Sequence, residues 1–298
     1  MNSSRVSPGA TAATLAFLLW GAVPLYWKQL QSVPAFELIA HRICWSILFL
    51  LAIMALRGTL RELRPAFKHA RIFWWTLAAS LLLATNWTIY VWAVNDGHVI
   101  ETSLGYFLTP LFNVMFGYWL LHERLRPMQW ASIGCAAVGV LLLLFHAGSV
   151  PWIAISLAVT WGLYGVLKKQ SQLGPIAGLS FETLLLLPFA AAYLVWLTRA
   201  GDGALGHVSP RLHVYILGVG IITSVPLLLF AYGAQRIRLV TLGLLQYIAP
   251  TVQFLLGLYV FHEPFDSTRL QACLFIWFGL VLYTGDSLWS QRARLSVS

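Results

Sequence analysis

Apolar residues fall in runs of roughly 18–25, the length needed to cross a bilayer core as a helix. Ten such runs follow one another, at about 11–30, 34–56, 72–95, 99–121, 127–146, 149–168, 175–198, 211–234, 239–261 and 268–288. Little chain remains for a soluble domain. The pattern therefore predicts an all-α integral membrane fold of ten transmembrane helices, with tails over 1–10 and 289–298. Met1–Ala10 carries a single basic residue, Arg5, and no cleavage site behind a short apolar core, so the first helix is expected to stay in the membrane.

Composition agrees with that reading. The chain of 298 residues is 59% apolar and only 10% charged, against about 25% charged for an ordinary soluble domain. Its net charge of +9 is not gathered into a basic block among polar sequence, which argues against a nucleic-acid partner. The placement of charge matters more. With a cytoplasmic N-terminus, fourteen of the nineteen Lys and Arg residues fall on that side, and Arg199, Arg211 and Arg269 on the other. Basic short loops are retained in the cytoplasm, so both termini should be cytoplasmic. Cys44, Cys135 and Cys273 each sit inside an apolar run and form neither a disulfide framework nor a zinc set.

The chain repeats at a spacing of about 140. Trp20-Gly21 and Lys28 recur as Trp161-Gly162 and Lys169; Pro110, Gly117 and His122-Glu123 recur as Pro250, Gly257 and His262-Glu263. Five helices per copy is an odd number, so the second copy enters the membrane from the opposite side. The expected fold is two inverted five-helix repeats, 11–146 and 149–288.

Polar residues inside the spans mark candidate chemistry, because an unsatisfied polar group facing lipid costs several kcal/mol. Tyr106, Pro110, Asn113 and Gly117 share one helical face, and Gln246, Pro250, Gln253 and Gly257 another; these are expected to be opposing walls of a cavity. Pro110 and Pro250 remove helical hydrogen bonds and offer a hinge or gate. Asn86 and Tyr90 lie one turn apart, and Trp20, Trp161 and Tyr164 add aromatic surface near repeat-related ends.

Arg42 and Glu182 are intramembrane charges at matching repeat positions, and each needs a partner or a role. Two arrangements are open: a structural Arg42–Glu182 ion pair, or Arg42 binding a substrate carboxylate while Glu182 carries a proton. His41 is a second proton-coupling candidate. His122-Glu123 and His262-Glu263 lack the HExxH spacing of a metal site and fit a helix-ending turn. No P-loop or GxSxG nucleophile elbow occurs, and isolated glycines such as Gly105 carry no cofactor signal. The small-residue face of Gly134, Ala137 and Gly139 suits either a neighbouring helix or a second protomer of a homodimer.

Several strings together, ETSLGYFLTPLFNVMFGYWLLHERL, the His41-Arg42 pair, NWTIYVWAVN, FETLLLLP and LGLLQYIAPTVQFLLG, resemble the RarD-type permeases of the EamA family, in the drug/metabolite transporter superfamily. The likeness runs along essentially the whole chain. It implies a ten-helix inner-membrane permease with a central cavity, exporting a small metabolite or drug-like solute of amphipathic, aromatic or amino-acid-like character. A proton-coupled exchanger and an uncoupled facilitator both fit. The competing classes are an intramembrane enzyme acting on a lipid or isoprenoid through Arg42, His41 and Glu182, and a membrane sensor without flux.

Overall fold

The computed structural model describes residues 7–147, 151–205, 207–262 and 267–295, and every regular element within them is helical. The tail residues 1–6 and 296–298, and Glu263 of the second His-Glu pair, lie outside the described residues. Helix α1 (Pro8–Trp27) ends in a 3-10 turn, Lys28–Leu30, and α2 spans Ala35–Leu56. A second 3-10 turn, Leu60–Leu63, and the short α3 (Arg64–Lys68) lead into α4 (Ala70–Asn95) and α5 (Val99–Trp119). Then come α6 (Pro127–Ala147), α7 (Trp152–Lys169), α8 (Pro175–Ala200), α9 (Pro210–Ala234), α10 (Leu239–Gln246), α11 (Ile248–Tyr259) and α12 (Ser267–Leu295). Among the described residues, seven helical stretches are long and apolar enough to cross a membrane, with α10 and α11 counted as one.

Local signals set the boundaries. Ser7 and Ser209 cap α1 and α9 by accepting from Ala10 N and Leu212 N, each followed by a proline in the first turn. Gly201 ends α8 in the left-handed region, at φ 80°. The ninth apolar run is broken at Tyr247 because Pro250 cannot donate to the carbonyl of Gln246 four residues earlier. Pro110, by contrast, sits inside an unbroken α5.

Three of the five pairs of repeat-equivalent helices pack directly on one another and run antiparallel. In α2 and α8, Ser180 Oγ donates to Met54 Sδ at 3.3 Å, and near the other end of the pair Ala40 clusters with Ala190. In α6 and α12, Gly139 abuts Ala272 while Ser132 abuts Gly279. In α5 and α10, Gly117 abuts Val240 while Gly243 lies against the Pro110 carbonyl and Asn113. The remaining contacts exchange in the same way: α1 packs on α9 and α11, and its counterpart α7 packs on α4 and α5. Small residues permit these approaches; a Cβ at Gly220 would lie 2.4 Å from the Trp45 carbonyl carbon, which locks α9 onto α2.

The two ends of the bundle differ. Toward the end that carries the start of α1, the core is filled: Ala13, Leu50, Met54, Ser80, Val166, Phe181, Ala234 and Leu239 are all buried. Toward the other end, the helices enclose a cavity.

Candidate functional site

The cavity has a volume of about 220 Å³ and draws walls from both repeats. Its aromatic floor is made by a repeat-related pair, Trp20 and Trp161, whose rings meet edge to face at 5.3 Å. Phe230 packs on both indoles, at 5.7 and 5.2 Å. Tyr90 and Tyr106, with ring centroids 6.0 Å apart, form another wall. Tyr106 is 38% exposed although it lies in mid-helix, because its side chain borders this space rather than a neighbouring helix.

Two wall amides are held by the backbone. Asn86 Nδ2 donates to the Leu157 carbonyl and to Thr160 Oγ1, both at 2.9 Å, tying α4 to α7 and leaving its carbonyl oxygen for the cavity. Gln253 Nε2 donates at 3.3 Å to the Trp20 carbonyl. That carbonyl lacks its helical donor because residue 24 is proline, so one helix's proline creates the acceptor that orients the other helix's glutamine.

Arg42 is the charged residue of the walls. Its Nε donates to Thr223 Oγ1 at 3.1 Å, and the guanidinium lies 4.3 Å from the Trp87 ring centroid and 5.3 Å from that of Trp27. Such cation–π contacts partly replace the hydration that a half-buried cation loses.

Arg42 and Glu182, for which an ion pair is one of the two arrangements the sequence leaves open, stand apart. Glu182 accepts from Lys168 Nζ at 2.8 Å and from the Tyr164 hydroxyl at 3.1 Å, and its backbone carbonyl accepts from Ser80 Oγ at 2.6 Å. With Ser180 opposite Met54 on antiparallel helices, Glu182 lies level with residue 52. That is ten residues from Arg42, or roughly 15 Å along the axis. Glu182 is thus paired with Lys168 and not with Arg42. Lys168, one of the fourteen basic residues that the sequence puts on the side of the N-terminus, is 1% exposed within α7.

Three further residues lie away from the cavity wall. Asn113 is fully buried and donates from Nδ2 to Gln246 Oε1 at 2.7 Å, so it orients a wall residue instead of lining the wall. Tyr164 is buried with Glu182. His41 packs 3.4 Å from Glu37 Oε1, which also accepts from the Ala204 amide at 2.6 Å. Pro250 lines the cavity, whereas the Pro110 carbonyl packs on Gly243.

Glu123 has a role its repetition alone did not disclose. His122 turns the chain at φ 52°, and both Glu123 carboxylate oxygens then accept from the first amides of α10, Leu239 N at 2.7 Å and Val240 N at 3.0 Å. Lys169 Nζ stands 3.6 Å from the same carboxylate. A carboxylate at a helix N-terminus satisfies free N–H groups and meets the positive end of the dipole. The ends of α5 and α7 are thereby fastened to the start of α10. Among the described residues, no group of three or more His, Cys, Asp or Glu side chains is arranged to hold a metal.

The model of the EamA-like transporter family matches the chain twice, over residues 7–145 and 149–285. The chain belongs to the EamA-like transporter family. An uncharacterized transporter of Pseudomonas aeruginosa is 41% identical, with 99% of each chain covered. The protein RarD of Escherichia coli is 35% identical over 98% of this chain and 99% of its own. A P. aeruginosa relative named chloramphenicol-sensitive protein RarD is 29% identical over 97% and 98%. A solved crystal structure aligns with a TM-score of 0.74 at 22% identity, covering 93% of this chain and 96% of that one, and shares the fold. This EamA protein is a multi-pass membrane transporter of the drug/metabolite superfamily, acting on a small molecule within a lipid bilayer.

Proposed function

We propose that the cavity is the solute site of an alternating-access exporter in the inner membrane, built from ten spans in two inverted halves, 11–146 and 149–288, with both termini cytoplasmic. The observation that carries this reading is the asymmetry of a duplicated bundle: the cavity borders Trp27, Arg42 and Tyr90 at one end, while the matching end is filled. With the termini cytoplasmic, the cavity faces outward. The positions equivalent to Trp27 and Arg42 are Lys168 and Glu182, which here close the cytoplasmic end together with Tyr164 and the Glu123–Lys169–α10 tie. Opening inward separates these groups and brings the Trp27–Arg42 end together, with the prolines at 110 and 250 as hinges.

An amphipathic or aromatic solute suits the walls of tryptophan and tyrosine broken by single amides. The ion pair on Glu182 favours a closing role over proton carriage, because its carboxylate is occupied by an ammonium and a hydroxyl. Reconstituted vesicles test the reading. A ligand found by thermal-shift screening should exchange as the unchanged compound against an internal pool. A chemical product would select an intramembrane enzyme, and binding without exchange a sensor.

A further inference from the structure

The cavity walls carry one formal charge. Arg42 is the only wall residue among the described residues that is Lys, Arg, Asp, Glu or His. Its neighbours supply no counter-ion: Thr223 takes the Nε proton, the Trp87 and Trp27 rings stand at its faces, and its terminal nitrogens have no acceptor among the described residues. The nearby spans do hold carboxylates, but none lines the cavity and each has a partner elsewhere on at least one oxygen, with Glu37 Oε2 and Glu101 Oε2 buried without a hydrogen bond among the described residues. Glu182 is bound to Lys168 and Tyr164, Glu37 to the Ala204 amide beside His41, and Glu101 to His98.

We propose that the solute is a small organic monoanion with a flat apolar body and no ammonium group, its carboxylate or equivalent oxyanion received by the terminal nitrogens of Arg42. The inference rests on the transport reading of the same cavity and names the charge class it accepts. A guanidinium stacked on indole rings and fixed at Nε is pre-set for paired hydrogen bonds to a planar oxyanion. The anion also supplies the counter-charge that the cavity wall omits. A second unpartnered donor belongs to a wall residue, the buried Trp161 Nε1.

An ammonium would meet the opposite situation. It would enter beside a fixed cation with no carboxylate in the cavity wall to accept it, and two of the indole rings that suit a cation are already engaged by Arg42. Zwitterions and amines are therefore disfavoured. Size narrows the class further. About 220 Å³ is less than the roughly 300 Å³ where drug-sized pockets begin. A compact solute suits it.

Four probes sharing one ring separate the charge classes: phenylacetate, 2-phenylacetamide, phenethylamine and phenylalanine. Thermal stabilisation of the purified full chain should give half-saturation for phenylacetate roughly 10- to 100-fold lower than for the neutral amide, the range of a charge-assisted hydrogen bond. Arg42→Gln should erase that gap and leave the amide unaffected, while Arg42→Lys, which keeps the charge but not the fork, should retain part of it. If Arg42→Gln does not fold, the wild-type ranking and Arg42→Lys decide. An absent gap, a gap that survives Arg42→Gln, or tighter binding of phenethylamine or phenylalanine overturns the assignment. Vesicle counterflow keeps the two readings apart. Exchange of phenylalanine or phenethylamine but not phenylacetate sinks the charge assignment and leaves transport standing. Arg42-dependent stabilisation by phenylacetate, with no exchange of any probe, sinks transport and leaves the charge assignment standing.

Discussion

Lys168 Nζ donates to Glu182 Oε1 at 2.8 Å, with neither side chain more than 3% exposed, so the closed end of the bundle is held by a charge pair cut off from water. Removing one partner leaves the other buried and uncompensated, at a cost of about 3–5 kcal/mol; removing both for apolar groups costs much less. Glu182→Gln and Lys168→Met should each lower the melting temperature in detergent sharply, and the Lys168→Met/Glu182→Leu pair should recover most of the loss. The alternative, Glu182 as a proton carrier, gives a different result: Glu182→Gln would melt as the parent does and keep counterflow while losing pH-driven flux.

Glu123 holds the first amides of α10 through both oxygens. Truncation to Ala removes an N-terminal cap, a loss of about 1–2 kcal/mol, together with the nearby charge of Lys169. A cysteine placed at the buried Ala177 should then react faster with a thiol reagent added from the side that carries the start of α1 than the same cysteine beside an intact Glu123. Equal labelling rates would mean that the tie does not hold that end shut.

The Asn113 to Gln246 hydrogen bond crosses the interface of α5 and α10 at 2.7 Å. In a double-mutant cycle with Asn113→Ala and Gln246→Ala, unfolding should yield a coupling of about 0.6 kcal/mol, the mean for interhelical bonds in membranes, and no more than about 1.7 kcal/mol. Zero coupling would separate the two residues energetically.

Two glycines should respond in opposite ways to a single methyl. A Cβ at Gly220 falls 2.4 Å from the Trp45 carbonyl carbon, whereas one at Gly134 meets nothing within 4 Å. Gly220→Ala must push α9 off α2, as overpacking typically does at about 1–3 kcal/mol, and should reduce folded yield on size-exclusion chromatography. Gly134→Ala should leave the yield unchanged. Gly139 lies on the same small-residue helix but abuts the Ala272 carbonyl, so it serves the contact with α12 inside one chain.

The sequence by itself determined most of the architecture. Apolar run lengths placed nearly every long helix within a few residues of its observed bounds, and the 140-residue spacing marked as equivalent the helices that pack antiparallel, α2 with α8, α5 with α10 and α6 with α12. It also marked the wall residues Trp20, Arg42, Asn86, Tyr90, Tyr106, Trp161, Gln246 and Gln253, since a polar or paired aromatic position in an apolar span must face protein or a cavity. It did not determine partners. Repeat equivalence is a symmetry relation, and a residue touches its own copy only near the axis, which for α2 and α8 falls by Ile47 and Leu187. Arg42 and Glu182 lie off that axis, at opposite ends, so tertiary packing gave one a cavity of indoles and the other a buried lysine. Helical periodicity likewise assigns a face without naming what covers it. Asn113 and Tyr106 share a stripe, yet α10 approaches closely enough at Gly243 to bury the first and recedes to leave the second beside open space.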